Sequence, residues 1–442
     1  MSAASPAPVV LVAAILLTGV KTDVMASGIP FTFEDLGEPV LVRELTMEIV
    51  THDPQNGFVA WSTYEAPDRH ALVGVRTDSG ETIWVDLTRW GRTHIQMIQA
   101  ADGNPYVYAG SPGHFFKYDL AAGKLVDLGV PASPASYWLG SAIGPDEMIY
   151  TGTFPSKGRL GGALARINPD DFSCRVWTNI VANQSIVGLA SVADLGGVFC
   201  TSSIHGGSSA IPTEKEALVF LWDCKREEVA YRARPVAGTK HYGAVVPARN
   251  GLLYGIAGTR YYAFDPARRE TVFTGELPVK GLRFPELSDE PAGPRGLIYG
   301  VGDDAVFAID PTDHVARIVA RDKSLARAMG FFVTPEQTLY YGAGSRLMRV
   351  RLGGPMGGGG VRSTPSGHAA DPFTPELEIH ATALAATMRD VGANVVRMAA
   401  MGKYATIQGV VLPFRQEDRG GMLQITLPRL EAYQGIRFAL GN

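Results

Sequence analysis

Cysteine is scarce in this chain: Cys174, Cys200 and Cys224 are the only three in 442 residues. An odd count without CxxC spacing argues against a disulfide framework and a zinc ribbon, and leaves structural thiols with room for one bridge. No HxH, HExxH or EF-hand loop occurs, so no metal is implied by a local motif. Long basic runs are missing as well, and the net charge is -4. A nucleic-acid partner is therefore not expected, and an anionic ligand would have to be met by local arginines rather than by the overall field. The apolar run over residues 9–20 falls short of the roughly 20 residues a bilayer span needs. It fits the h-region of a signal peptide, with "VMAS" as a small-residue cleavage site, although a basic n-region is lacking. Residues 1–28 read as a signal or flexible N-terminus, and a secreted or periplasmic protein without a membrane partner is expected.

What the chain does have is glycine, 51 residues of it, beside a hydrophobic fraction of 46% and only 19% charge. That mixture suits a turn-rich all-β protein. A pattern recurs from about residue 50: an apolar strand, a turn, a branched aliphatic residue followed by Tyr, a turn, and a strand ending in Asp. Clear copies are "PYVYAGSPGHFFKYDLAAGKLVDLG" from Pro105, "GLLYGIAGTRYYAFDPARRETVF" from Gly251 and "GLIYGVGDDAVFAIDPTDHVARIV" from Gly296. Seven such units, each carrying three or four short strands, predict a seven-bladed β-propeller over residues 35–352, because radial repetition protects strand edges between neighbours. The segment "EPVLVREL" is a candidate for closing the ring. Residues 353–373, "GGPMGGGGVRSTPSGHAADPF", read as a linker. Alternation in "GVVLPFRQ" and "MLQITLPRL" predicts a small β-sandwich over 374–442.

Aligned on the Asp that ends the third strand (Asp119, Asp223, Asp265 and Asp310, with Asn168 in its place), the units show which residues break the pattern. His114 falls where the others have Ala163, Leu218, Arg260 and Ala305. Arg166 falls where they have Lys117, Leu221, Ala263 and Ala308. His94 opens the innermost strand "THIQMIQAAD". Tyr150 keeps the pattern, in a slot shared with Tyr108, Tyr254, Tyr299 and Tyr341, and on repeat logic it packs. Structural readings stand beside the functional ones: a strand-edge His114, a strand-capping His94, a salt-bridging Arg166.

The order His94, His114, Tyr150, Arg166, with twenty residues between the histidines and sixteen from Tyr to Arg, resembles β-propeller polysaccharide lyases. Ulvan lyases and rhamnose–glucuronate lyases are the members meant. The tail "VVLPFRQEDRGGMLQITLPRLEAYQGIRFAL" resembles the β-sandwich appendages of glycoside hydrolases. The resemblance implies a lyase that cleaves a uronate-containing polysaccharide by β-elimination, at a rhamnose-α-1,4-glucuronate linkage. Arg166 would pair with the uronate carboxylate and stabilise the enolate-like charge, while Tyr150 and one of His94 or His114 serve as acid and base.

Two further places join the candidates. A long insertion, "SSIHGGSSAIPTEKEALVFLWD" from Ser202, offers His205 and Lys215 to a substrate, although it also reads as a solvated blade-edge loop. "TKHYGAV" places His241 and Tyr242 at the start of the fifth inner strand. No cofactor is expected; a calcium ion held by carbonyls in the central channel would leave no local motif. The alternative function is a non-catalytic propeller that binds glycans or proteins. A glycoside hydrolase would need an acidic pair that breaks the repeat, and none is apparent.

Overall fold

The computed structural model describes residues 31–37, 45–53, 57–65, 70–90, 96–100, 102–109, 114–129, 135–283, 286–288, 296–334 and 338–352, together with five strands between 378 and 426. Seven antiparallel sheets follow one another in chain order. Blade 1 spans residues 45–86, blade 2 96–127, blade 3 135–178, blade 4 185–233, blade 5 245–276, blade 6 298–321 and blade 7 328–351. Where a blade has four consecutive strands, the first lies against the first strand of its neighbour, which places it innermost. In blade 6 the described residues of the inner edge form an isolated bridge, Leu282 to Gly302.

The composition of each strand follows its place in the blade. Strands two and three are covered on both faces and read as continuous apolar runs, such as Ile298–Gly302 "IYGVG" and Ala305–Ile309 "AVFAI", buried throughout. Outermost strands face solvent on one side and alternate instead: Thr82–Asp86 and Glu228–Ala233 are half-buried at every second residue and exposed at the others. Charged residues such as Glu228 and Arg232 on that edge discourage pairing with another chain. Between blades, aromatic side chains fill the seams. Trp61, Phe116 and Tyr118 join blades 1 and 2, and Phe199, Tyr242, Tyr262 and Phe264 join blades 4 and 5. Each such side chain contributes roughly 1.5–3 kcal/mol by leaving water.

Near the channel the backbones themselves meet. A Cβ on Gly140 would lie 2.4 Å from the carbonyl oxygen of Val187 in the next blade, and one on Gly188 would lie 2.7 Å from that of Gly243. The register slips beside both, between Trp138 and Ser141 and between Ile186 and Leu189. Glycine at these bulges lets successive inner strands touch directly.

Ring closure differs from expectation. The strand that completes blade 7 is Thr32–Asp35, paired antiparallel with Arg346–Arg351, and not "EPVLVREL", of which residues 38–44 lie outside the described residues. Charge explains the choice. Glu34 holds Arg349, with its Nε donating at 3.0 Å, and Arg351 at 3.1 Å, while Asp35 pairs with Arg346. An acidic first strand thus meets a basic last one.

Residues 1–30 and the linker at 353–373 lie outside the described residues. Within 374–442, Glu378–His380, Met422–Thr426 and Arg415–Arg419 pair in a three-stranded sheet, and Tyr404–Ile407 pairs with Val410–Pro413. Most of the expected β-sandwich lies outside the described residues.

Candidate functional site

The consensus Asp at the end of strand three has a structural task. Its side chain accepts from backbone N–H groups two or three residues on: Asp223 from Lys225 and Arg226 at 3.0 and 2.8 Å, Asp265 from Ala267 and Arg268, both at 2.9 Å. Four residues after it the chain turns left-handed, at Gly123, Phe172, Glu227, Arg269 and His314. These are turn-capping residues.

Tyr150 and Arg166 stand directly opposite each other on strands two and three of blade 3. Both converge on Asp146 in the preceding turn: the Tyr150 hydroxyl donates to Oδ2 at 3.0 Å and the Arg166 Nε donates to the same oxygen at 2.9 Å. Tyr150 is fully buried, and its hydroxyl also touches the thiol of Cys224 in blade 4. Burial, then Cys224 and Asp146, push the phenol well above its usual range, so it holds its proton as a donor. The Cys224 thiol is itself pushed up to about 11, by burial first.

The same construction recurs in blade 2. Tyr106 donates to Asp102 at 3.1 Å and lies 3.2 Å from the carbonyl oxygen of Pro169, and Lys117 pairs with Asp102 at 2.6 Å. In blade 5, Asn250 donates to the Pro311 carbonyl at 3.2 Å while Tyr254 meets His314 Nδ1 at 2.6 Å. Pro169, Cys224 and Pro311 all follow the capping Asp or Asn of the next blade. Tyr150 and its equivalents are therefore latches between blades. The register puts Tyr106, opposite Lys117, and Tyr340, opposite Arg349, in the slot rather than Tyr108 and Tyr341.

His114 lies apart from this pair. It opens strand three of blade 2 opposite Ala109, three residues and so roughly 10 Å along the strand from Lys117, the counterpart of Arg166. An odd separation also turns it to the other face of the blade. Its ring stacks on Phe116 (5.7 Å, 16°) and approaches Trp90, which follows blade 1. Nδ1 lies 3.1 Å from Asp127 Oδ1. The structure thus unites Tyr150 with Arg166 and directs His114 towards blade 1, while His94 lies outside the described residues. Tyr242 is fully buried, its hydroxyl donating to the Val236 carbonyl at 2.9 Å and accepting from Val236 N at 3.1 Å. It packs a seam and offers nothing to a ligand.

The insertion after blade 4 strand two builds a different surface. Ile204 N donates to Lys240 O at 3.0 Å, Ala217 N to Thr239 O at 2.8 Å, and Ser203 bridges His241, which ties the loop to blade 5. On its other side Gly158 N donates to Ser208 O at 2.8 Å and Gly207 N to Arg159 O at 3.0 Å, which ties it to the blade 3 hairpin. Gly207 is required there, since a Cβ would sit 2.0 Å from the Ser156 carbonyl oxygen. The buried side chains of Gln184, Ser185 and Ser202 anchor the base; Ser185 donates to the His205 carbonyl at 2.7 Å.

This stitching makes neighbours of the loops that carry Lys157 and Arg159 in blade 3, His205 and Lys215 in the insertion, and Lys240 and His241 just before blade 5, and these loops together form a crest. Lys157, Arg159, Lys215 and Lys240 are exposed. No acidic partner pairs with them among the described residues, whereas the neighbouring Glu214 and Glu216 are held by Asn183 (3.0 Å) and by Arg234 and Gly238 N (2.9 Å). Burial, then the nearby His205, push His241 below its ordinary 6.5. Sequence reasoning singled out His205, Lys215 and His241; it missed Lys157, Arg159 and Lys240, which lie in other units and carry no motif.

No family model matches this chain, and no curated protein does. Among solved structures it is similar to one described as streptogramin B lyase, at 10% identity over 72% of this chain and 97% of that one, with a TM-score of 0.54. It is likewise similar to a chain of the mitotic checkpoint complex (14% identity, 73% and 95% coverage, TM-score 0.51). A third is the extracellular domain of a hybrid two-component system from B. thetaiotaomicron (11% identity, 74% and 43% coverage, TM-score 0.51). The fold is a seven-bladed β-propeller. At these identities the likeness shows the fold alone. Among the described residues no three His, Cys, Asp or Glu side chains gather as metal ligands, and no helix is long and apolar enough to cross a membrane.

Proposed function

We propose that this propeller recognises an anionic, uronate-bearing glycan of the extracellular space along the crest over blades 3 to 5. The observation that carries the reading is the set of four exposed cations, Lys157, Arg159, Lys215 and Lys240, with no acidic partner among the described residues, on a chain whose net charge is -4. Local cations unopposed by carboxylates attract a carboxylate-bearing chain, and Arg159 can take one carboxylate bidentately.

A second reading, β-elimination at the uronate, is favoured by one feature of the same crest. His241 is held neutral near physiological pH, follows Lys240 in the chain and lies near His205, so the same loops carry a base for the C5 proton and a partner for the carboxylate. This relocates the chemistry from Tyr150 and Arg166, both of which are engaged by Asp146.

Calorimetric titration with a glucuronate polysaccharide and with its carboxyl-reduced form tests the binding. Binding to the acidic form only, weakened about tenfold in Lys157→Ala/Arg159→Ala and by added salt, is expected. Equal affinity for both forms would overturn it. Ultraviolet absorbance of an unsaturated uronate, abolished in His241→Gln, would establish elimination; binding without absorbance leaves recognition alone.

A further inference from the structure

Blades 1 and 2 carry a feature that shares no residue with the crest. Between their outermost strands an open cavity of about 320 Å³ is lined by Val85, Asp86, Arg89, Trp90, Leu125 and Asp127. Its parts are held in place. Asp86 accepts from Thr88 N at 2.8 Å and so caps the short turn Thr88–Trp90 that presents the indole. Phe116 meets the Trp90 ring edge-on at 4.7 Å and 72°. Asp127 accepts from Gly129 N at 2.8 Å and from His114 at 3.1 Å. Burial works against the charge of Asp127, yet hydrogen bonds from His114, Gly129 and Trp90 hold its carboxyl below the usual range, so it is ionised.

The decisive contact is between neighbours. The exposed Arg89 lays its guanidinium carbon 3.7 Å from the centroid of the Trp90 ring. A cation over an indole face is attracted by the ring's negative face, the more so when it is desolvated. The cavity thus offers what a cation on an apolar stem requires: an aromatic face, two carboxylates, and aliphatic walls from Val85 and Leu125. Among the described residues Arg89 is the only cation in the lining, and it occupies the aromatic face itself.

We infer that this cavity binds a guanidinium or ammonium group carried on an aliphatic stem, and that Arg89 is an internal stand-in which an incoming ligand displaces. A free amine and the basic side chain of a peptide share this chemistry. The consequence is specific: removing Arg89 frees the site, whereas removing a cation from an anion site would destroy it.

The test uses the full chain with agmatine, the peptide acetyl-Gly-Arg-Gly-amide and glucuronate, each titrated by calorimetry. Arg89→Ala is expected to bind agmatine at least about tenfold more tightly than the unaltered protein. Asp127→Asn in the Arg89→Ala background should lose most of that gain, and Trp90→Phe, which keeps a ring in place, should lose less. Because Arg89 is exposed, its replacement does not threaten folding, and thermal melting of each variant verifies this. Peptide binding as tight as agmatine identifies a protein-borne side chain as the ligand; agmatine binding alone identifies a free amine. No agmatine binding by Arg89→Ala, or glucuronate binding that depends on Arg89, overturns the inference.

Discussion

Replacing Arg166 with alanine separates a latch from a catalytic cation. The Arg166–Asp146 pair spans 2.9 Å, with side chains 31% and 27% exposed, so solvent screens it and its loss costs about 1 kcal/mol or less. Tyr150 is different: its side chain is fully buried and its hydroxyl donates to Asp146 Oδ2 at 3.0 Å, a bond of roughly 1.5–3 kcal/mol. Asp146→Ala removes the acceptor that Tyr150 and Arg166 share and leaves the phenol beside Cys224 and Arg166, so a loss of about 2–4 kcal/mol is expected. Urea denaturation of Arg166→Ala, Asp146→Ala and Tyr150→Phe measures the three. The expected order is a small loss for Arg166→Ala, a large one for Asp146→Ala, and coupling of about 1 kcal/mol between Tyr150 and Asp146 in a double-mutant cycle. Affinity for an acidic glycan should be unchanged in all three. An Arg166→Ala protein of normal stability that has lost glycan binding or turnover would refute the latch and restore the uronate-pairing role.

Three further outcomes rest on the geometry. His241 has a folded pKa below its unfolded value of 6.5, so the unfolded chain binds more protons below that pH. Its stabilising contribution is present above pH 6.5 and declines as pH falls towards the folded pKa; His241→Gln should flatten that limb in urea titrations at stepped pH, and an unchanged slope would contradict it. At the left-handed turn position, Gly123→Ala should cost about 1 kcal/mol by thermal melting although no atom lies within 4 Å of the added carbon, because the cost is conformational. Arg269→Gly, at the same place in blade 5, should be neutral or stabilising despite losing its 5.0 Å contact over Tyr231, and a clear loss there would show that the contact outweighs the backbone strain.

Much of the ring was legible in the sequence. The seven-unit period, the apolar runs of strands two and three, the capping Asp or Asn after the third strand of blades 2 to 6 and the long insertion from Ser202 are local patterns, and local hydrogen bonding and burial generate them. Departure from the repeat has a structural cause at Arg166. Arg166 breaks the pattern because Asp146 and Asp102 take a basic partner in blades 3 and 2, as Lys117 already does beside Asp102.

What only the tertiary structure decided concerns faces and neighbours. Side chains along a strand alternate with a period of two, so a shift of one residue exchanges one seam of the ring for the other. That exchange separates Tyr340 from Tyr341, and an odd offset turns His114 towards blade 1 while Tyr150 and Arg166 face blade 4. The crest depends on contacts between Gly158 and Ser208 and between Ile204 and Lys240, too far apart in the chain for any local signal. The sequence by itself determined that there is a ring of seven and how each blade is built. Which cations stand together on it was settled by loops folding across from one blade to the next.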